Sequence, residues 1–317
     1  MAQHSFTANW LALPASETVA GTRSLVATLH WILRIGAAGC FIGHGAFGIL
    51  TLPPFNLVKQ AWVNYFAVVG IDRATAVSLM PFVGVFDITM GVLMLVIPIR
   101  AAMAWLSFWG VWTALLRPLA GESAWEFVER AGNFGVPFVL LYLSGFGTSL
   151  RSWFFAVARP ALDERKAHTM EWMLRIIGAT CLVGHGAFGA FVMKKVWFGY
   201  LGALGLSQES IRAQNLLGMV GWAEIALGFA VLVLPFRRVV ALRYLLLALP
   251  VMKIGFEMLR FPTNEPYGWF EVIERAGTYT AFLALFAVLF WLDRARAGAA
   301  DRVTASMHRS PNSSLLI

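Results

Sequence analysis

The stretch Cys40-Phe41-Ile42-Gly43-His44-Gly45-Ala46-Phe47-Gly48 returns 141 residues later as Cys181-Leu182-Val183-Gly184-His185-Gly186-Ala187-Phe188-Gly189. Upstream, Trp31-Ile32-Leu33-Arg34 answers to Trp172-Met173-Leu174-Arg175 at the same offset. Downstream, Val83, Gly84, Asp87, Gly91, Pro98 and Arg100 match Val220, Gly221, Glu224, Gly228, Pro235 and Arg237 at an offset of 137. Leu116-Arg117 matches Leu259-Arg260 at 143, and Glu126 with Glu129-Arg130-Ala131-Gly132 matches Glu271 with Glu274-Arg275-Ala276-Gly277 at 145. The offset changes only between blocks, where loops absorb insertions. Such self-similarity reads as a tandem duplication.

The chain has 317 residues, 59% hydrophobic and 13% charged, and a mean hydropathy of +0.69. A soluble domain is nearer half apolar and a quarter charged, so a soluble enzyme and a disordered tail protein fit poorly. The pattern predicts an all-α polytopic integral membrane protein. It has eight transmembrane helices, arranged as two parallel four-helix repeats. The expected spans lie near 28–50, 76–98, 101–119 and 125–147, then near 170–192, 215–235, 239–260 and 271–292, each close to the ~20 residues that cross a hydrocarbon core. This divides the chain into an N-terminal segment 1–27, a first repeat 28–147, a basic linker 148–169, a second repeat 170–292 and a tail 293–317 expected to be disordered. Between the first two spans of each repeat, Asn56 to Val69 and Val196 to Leu206 read as short interfacial helices, with Trp62 and Tyr65, or Trp197 and Tyr200, as anchors.

Four spans per repeat put both repeats the same way up. On that topology 15 Lys and Arg fall on one side and 10 on the other, so both termini are expected to be cytoplasmic. The net charge of +8 is assigned to loops facing anionic lipid, with the bilayer as partner and no nucleic acid. The N-terminus lacks the basic start of a cleaved signal, and two cysteines inside apolar segments make no extracellular disulfide framework.

Ionisable groups inside a membrane cost at least ~2.5–3.5 kcal/mol each at mid-helix, so they call for a partner or a function. Each repeat supplies a His (His44, His185), a mid-span acid (Asp87, Glu224) and an Arg (Arg117, Arg260). Each also supplies a cluster, Glu126, Glu129 and Arg130 or Glu271, Glu274 and Arg275. One reading has these groups line an outward-facing polar cavity in each repeat. His44, His185, Asp87 and Glu224 would be a proton relay or ligand site, and the clusters would bind. The plainer reading pairs Glu126 with Arg130 and Glu271 with Arg275 at i, i+4, lets Arg117 and Arg260 snorkel, and uses the Gly-flanked histidines as helix-packing groups. Asp87 and Glu224 could also form buried pairs with Arg117 and Arg260.

Cys40 and His44, like Cys181 and His185, stand four apart on one helix face. Three readings stay open: a convergent Cys2His2 metal site, a redox disulfide, or simple packing.

Val220-Gly221-Trp222-Ala223-Glu224-Ile225-Ala226-Leu227-Gly228 resembles the second-helix pattern of the DoxX-like family, and Leu33-Arg34-Ile35-Gly36 and Leu174-Arg175-Ile176-Ile177 resemble its first helix. The order of long helix, interfacial stretch and three further spans is also similar. This chain departs from the family in carrying two units and in its Gly-His-Gly-Ala-Phe-Gly motif. The resemblance implies a four-helix membrane unit of a bacterial inner membrane, near quinone or thiol and sulfur redox traffic, with quinone as cofactor and a redox protein as partner. Proton-coupled transport of a small solute and a non-catalytic assembly or scaffold role are the competing expectations.

Overall fold

The computed structural model describes residues 15–157, 160–206, 210–261 and 268–308. The expectations for residues 1–14, Arg159 and 309–317 lie outside the described residues. The chain is all-helical; among the described residues the β-type pairing is a single bridge between Ile99 and Ala156.

The helices run in order as α1 (Ala15–Ile49), α2 (Gln60–Val68), α3 (Arg73–Val96), α4 (Arg100–Leu119), α5 (Trp125–Glu129), α6 (Ala131–Ser144) and α7 (Leu150–Phe154). The second half follows with α8 (Glu164–Ala187), α9 (Lys195–Ala203), α10 (Ile211–Val233), α11 (Arg243–Met258), α12 (Gly268–Glu274) and α13 (Ala276–His308). Side chains at the start of helices do the expected capping: Asp72 accepts from Ala74 N–H and Thr75 N–H ahead of α3, and Ser210 from Ala213 N–H ahead of α10.

Five stretches are long and apolar enough to cross a membrane: Arg23–Ile49, Arg73–Val96, Glu164–Val192, Ile211–Val233 and Gly268–Ala300. Of the other expected spans, α6 is a shorter apolar helix. Tryptophans and terminal arginines dilute α4, and α11 has 16 residues with Lys253 and Glu257 in it. Phe82 and Val96 on α3, and Ile211, Met219 and Val233 on α10, are about 70% exposed. That is a surface suited to lipid chains rather than to water.

Two expectations are corrected. The tail beginning at Asp293 is not disordered there, because α13 continues to His308. Its apolar first half packs in the core, and the helix carries on into polar sequence through Gly298, with no Pro before His308. The expected fourth spans also do not start as single helices. Each is broken, at Arg130 between α5 and α6 and at Arg275 between α12 and α13.

Glycine sets the packing of α1 on two faces. Gly45 and Gly48 meet α3: a Cβ on Gly48 would fall 2.3 Å from the Met80 carbonyl oxygen. Gly36, Gly39 and Gly43 meet the other half: a Cβ on Gly43 would fall 2.3 Å from the Glu274 nitrogen. α8 does the same, with Gly186 against Gly221 of α10 and Gly184 against Glu129 of α5. The first helix of each half therefore rests on the third helix of its own half and on the break of the opposite half. Gly132 and Gly277 meet backbone to backbone between α6 and α13.

Candidate functional site

His44 lies in the last turns of α1, with its Nδ1 2.7 Å from Oδ2 of Asp87 on α3. The glycines at the α1–α3 crossing permit that approach. With Asp87 as a carboxylate acceptor, Nδ1 carries the proton, so Nε2 is a lone pair in the neutral ring or a second donor in the imidazolium. Trp62 of α2 covers the ring, with centroids 4.6 Å apart and planes tilted by 33°. The expectation of Trp62, Tyr65, Trp197 and Tyr200 as interfacial anchors is corrected here: all four are buried. Trp62 and Trp197 turn their faces to the histidines, while Tyr65 bonds Glu122 and Arg117 and Tyr200 meets Phe256.

A cavity of about 180 Å³ opens beside His44, lined by Trp62, Tyr65, Trp109, Trp112, Thr113 and Leu116 among others. It is an aromatic slot with one basic ring edge. Tyr65 closes one side, its hydroxyl donating to Glu122 Oε1 at 2.5 Å and accepting from Arg117 Nη1 at 2.9 Å. Burial and the nearby Glu122 push the Tyr65 phenol above the usual tyrosine range, with Arg117 opposing, so it stays a donor.

The second half builds the same dyad. His185 Nδ1 lies 2.5 Å from Glu224 Oε2, and Trp197 stacks at 4.5 Å with a tilt of 35°. The wall differs. Aligning Arg117 with Arg260 sets Lys253, Phe256 and Glu257 against Gly110, Thr113 and Ala114. Phe256 stands edge-on to His185 at 4.9 Å, Lys253 Nζ donates to Glu224 Oε1 at 3.2 Å, and Glu257 Oε1 lies 3.8 Å from His185 Nε2. The gap left among His185, Lys253 and Arg275 has no room for a water molecule. In the first half nothing replaces Lys253, and Asp87 Oδ1 is buried without a hydrogen-bond partner. Among the described residues the cavity expected in each repeat is found beside His44 and is filled beside His185: Thr113 lines the first, and its counterpart Phe256 occupies the second.

The acid–arginine clusters meet across the halves. Arg130 pairs with Glu126 at 2.5 Å, as i, i+4 spacing predicts. Arg275 does not pair with Glu271; it reaches Glu129 and, at 2.9 Å, Glu257. Glu271 is held instead by Lys59 at 2.5 Å and approached by Arg260 at 3.7 Å. Lys194, the counterpart of Lys59, takes Glu126 at 2.7 Å. Arg117 stands 3.8 Å from both Glu126 and Glu274. The alternative pairing of Asp87 with Arg117 and Glu224 with Arg260 is not made: the histidines and Lys253 take those acids. Arg260 bonds Glu257 at 2.7 Å.

Cys40 and Cys181 are both free and buried. Cys181 Sγ accepts from Gly132 N–H at 3.1 Å, which is a packing role at the α6–α13 crossing. Among the described residues no group of three or more His, Cys, Asp or Glu is arranged to hold a metal ion.

Lys59, Lys253 and Glu257 belong to this constellation and were not singled out from the sequence. Lys253 and Glu257 stand four apart inside an apolar span, the same signal that selected Asp87 and Glu224. Lys59 gave no such signal, since a loop lysine is ordinary. No family model, curated protein or solved structure matches this chain.

Proposed function

We propose that the chain is a DoxX-like protein of a bacterial inner membrane, with eight spans in two parallel repeats and both termini cytoplasmic. In this reading its first repeat binds a flat, ring-sized carbonyl compound of the quinone type and exchanges protons with it. The observation that carries this is the His44–Asp87 dyad, stacked under Trp62 and edging an aromatic cavity. A slot lined by tryptophans suits a planar ring, and one convergent polar group orients it. A protonated His44 donates Nε2–H to a ring carbonyl; a neutral one accepts a proton from a ring hydroxyl. Asp87 holds the ring orientation and stabilises the imidazolium. A quinone that gains an electron pair from a redox partner protein gains two protons, and His44 is placed to supply one. The matched glycine contacts of α1 on α3 and α8 on α10 support the parallel-repeat reading.

The test is titration of the detergent-purified protein with decylubiquinone, read by quenching of tryptophan fluorescence. One saturable equivalent per chain is expected, lost in His44→Ala and kept in His185→Ala. No saturable quenching, or equal loss in both variants, would sink the proposal.

A second reading, proton-coupled transport, draws on the buried chain of charges from His185 through Glu257, Arg275, Glu129, Arg130, Glu126 and Arg117 to Tyr65 at the cavity wall. It predicts solute uptake into proteoliposomes that follows the pH gradient and that Asp87→Asn uncouples.

A further inference from the structure

About 20 Å along α1 from His44, by helical rise, a second cavity of about 1110 Å³ opens between α1, Val157 with residues 160–164, and α13. Arg23, His30, Trp31, Arg34, Glu164 and Trp291 are among its lining residues. Its chemistry shows against the second half. The offset of 141 that aligns Arg34 with Arg175 sets His30 against Glu171. In the second half Glu171 takes Arg175 at 3.0 Å and Arg237 at 2.5 Å, so one carboxylate is shared by the two arginines.

In the first half that carboxylate is missing. Arg34 is buried; its Nε donates to the Met94 carbonyl at 2.9 Å and its Nη2 to that of Leu95, and its guanidinium lies 3.8 Å over the Trp31 ring. Among the described residues it has no acid partner. Arg100, the counterpart of Arg237, also donates only to carbonyls, those of Ser144, Gly145 and Ser152. Two more buried polar atoms at this cavity have no partner: His30 Nε2 and Trp291 Nε1. Glu164 does not fill the gap. Its side chain is 57% exposed and is turned to His168 at 3.5 Å and Arg296 at 3.6 Å.

A buried cation without an anion is costly in apolar surroundings, and an anion from outside the chain offsets that cost. Guanidinium groups match the oxygens of a phosphate, and tryptophans favour the headgroup level of a bilayer. We propose that this cavity binds a phosphate-bearing anion, with Arg34 and Arg23 as its cationic contacts and His30 as the position that opens the site. It stands apart from the His44 reading.

The test strips the protein of lipid in dodecyl maltoside and adds phosphatidylglycerol vesicles or inorganic phosphate. Binding is read by native mass spectrometry and tryptophan fluorescence. One saturable equivalent is expected; the probe that delivers it identifies the source as lipid headgroup or free phosphate. His30→Glu restores the carboxylate that Glu171 supplies in the other half. It is expected to weaken binding about tenfold or more, the effect of losing a charge-assisted contact, with melting temperature unchanged or raised. Arg23→Gln, at an exposed position, is expected to weaken it less. The proposal is overturned if neither probe binds saturably, or if both variants bind as the parent does.

Discussion

Asp87 and Glu224 differ by one methylene, and their surroundings differ to match. The longer Glu224 reaches His185 with one oxygen and Lys253 with the other, while Asp87 satisfies His44 with one oxygen and leaves the second unpaired. Removing one partner of a buried ionic pair costs about 3–5 kcal/mol, because the other charge stays behind. Lys253→Met is therefore expected to lower stability by about that amount in denaturation of the detergent-solubilised protein. A loss below about 1 kcal/mol would mean that His185 alone neutralises Glu224. At His44 the prediction concerns binding. Asp87→Asn keeps an acceptor oxygen but removes the negative charge that holds the ring, so quinone affinity should fall about tenfold, as expected for a hydrogen bond to a charged group.

At the scale of elements, α1 and α8 work because they are bare on two faces. Gly43→Ala would place a methyl 2.3 Å from the Glu274 nitrogen and 2.6 Å from the Phe270 carbonyl oxygen. Backbone on both sides cannot yield as a side chain would, so a loss of about 1–3 kcal/mol is expected. Gly202→Ala in α9 is the control: nothing lies within 4 Å of its added carbon. In the last turn of a helix that change should stabilise by a few tenths of a kcal/mol, up to about 1 kcal/mol. Thermal melting of the two variants checks both signs at once. The short helices α2 and α9 are also tied across the molecule, since Lys59 ahead of α2 bonds Glu271 and Lys194 ahead of α9 bonds Glu126. A double-mutant cycle on Lys59→Met and Glu271→Gln should show a coupling of about 0.5–3 kcal/mol; additive losses would mean the contact does not hold α2 in place.

At the scale of the whole molecule, the two halves build the same kind of His–acid pair and differ at their cavities. One half keeps an open slot at His44 and the other fills it with Phe256, Lys253 and Glu257. At the far end one half keeps the anion gap at Arg34 and the other closes it with Glu171. Phe256→Ala would clear the edge of His185, so a second equivalent of decylubiquinone is expected to bind in the same fluorescence titration. A stoichiometry that stays at one would mean that Lys253 and Glu257 suffice to close the second site.

The sequence by itself determined that the chain is helical, apolar and self-similar, and which ionisable residues stand where lipid or protein interior must surround them. Those properties are local: hydrophobic run length, glycine spacing and the residue type at each repeated position. His44 with Asp87, and His185 with Glu224, were recognisable as candidates because charge inside apolar sequence demands a partner. Which partner it takes was settled only by the tertiary structure. The choice of His over Arg for Asp87, of Glu129 over Glu271 for Arg275, and of burial over exposure for Trp62 all depend on helices distant in sequence meeting at glycine contacts. The same holds for the single cavity. Thr113 and Phe256 each look unremarkable within their own span, and only the packing of α4 and α11 beside the histidines makes one the wall of an open cavity and the other a plug.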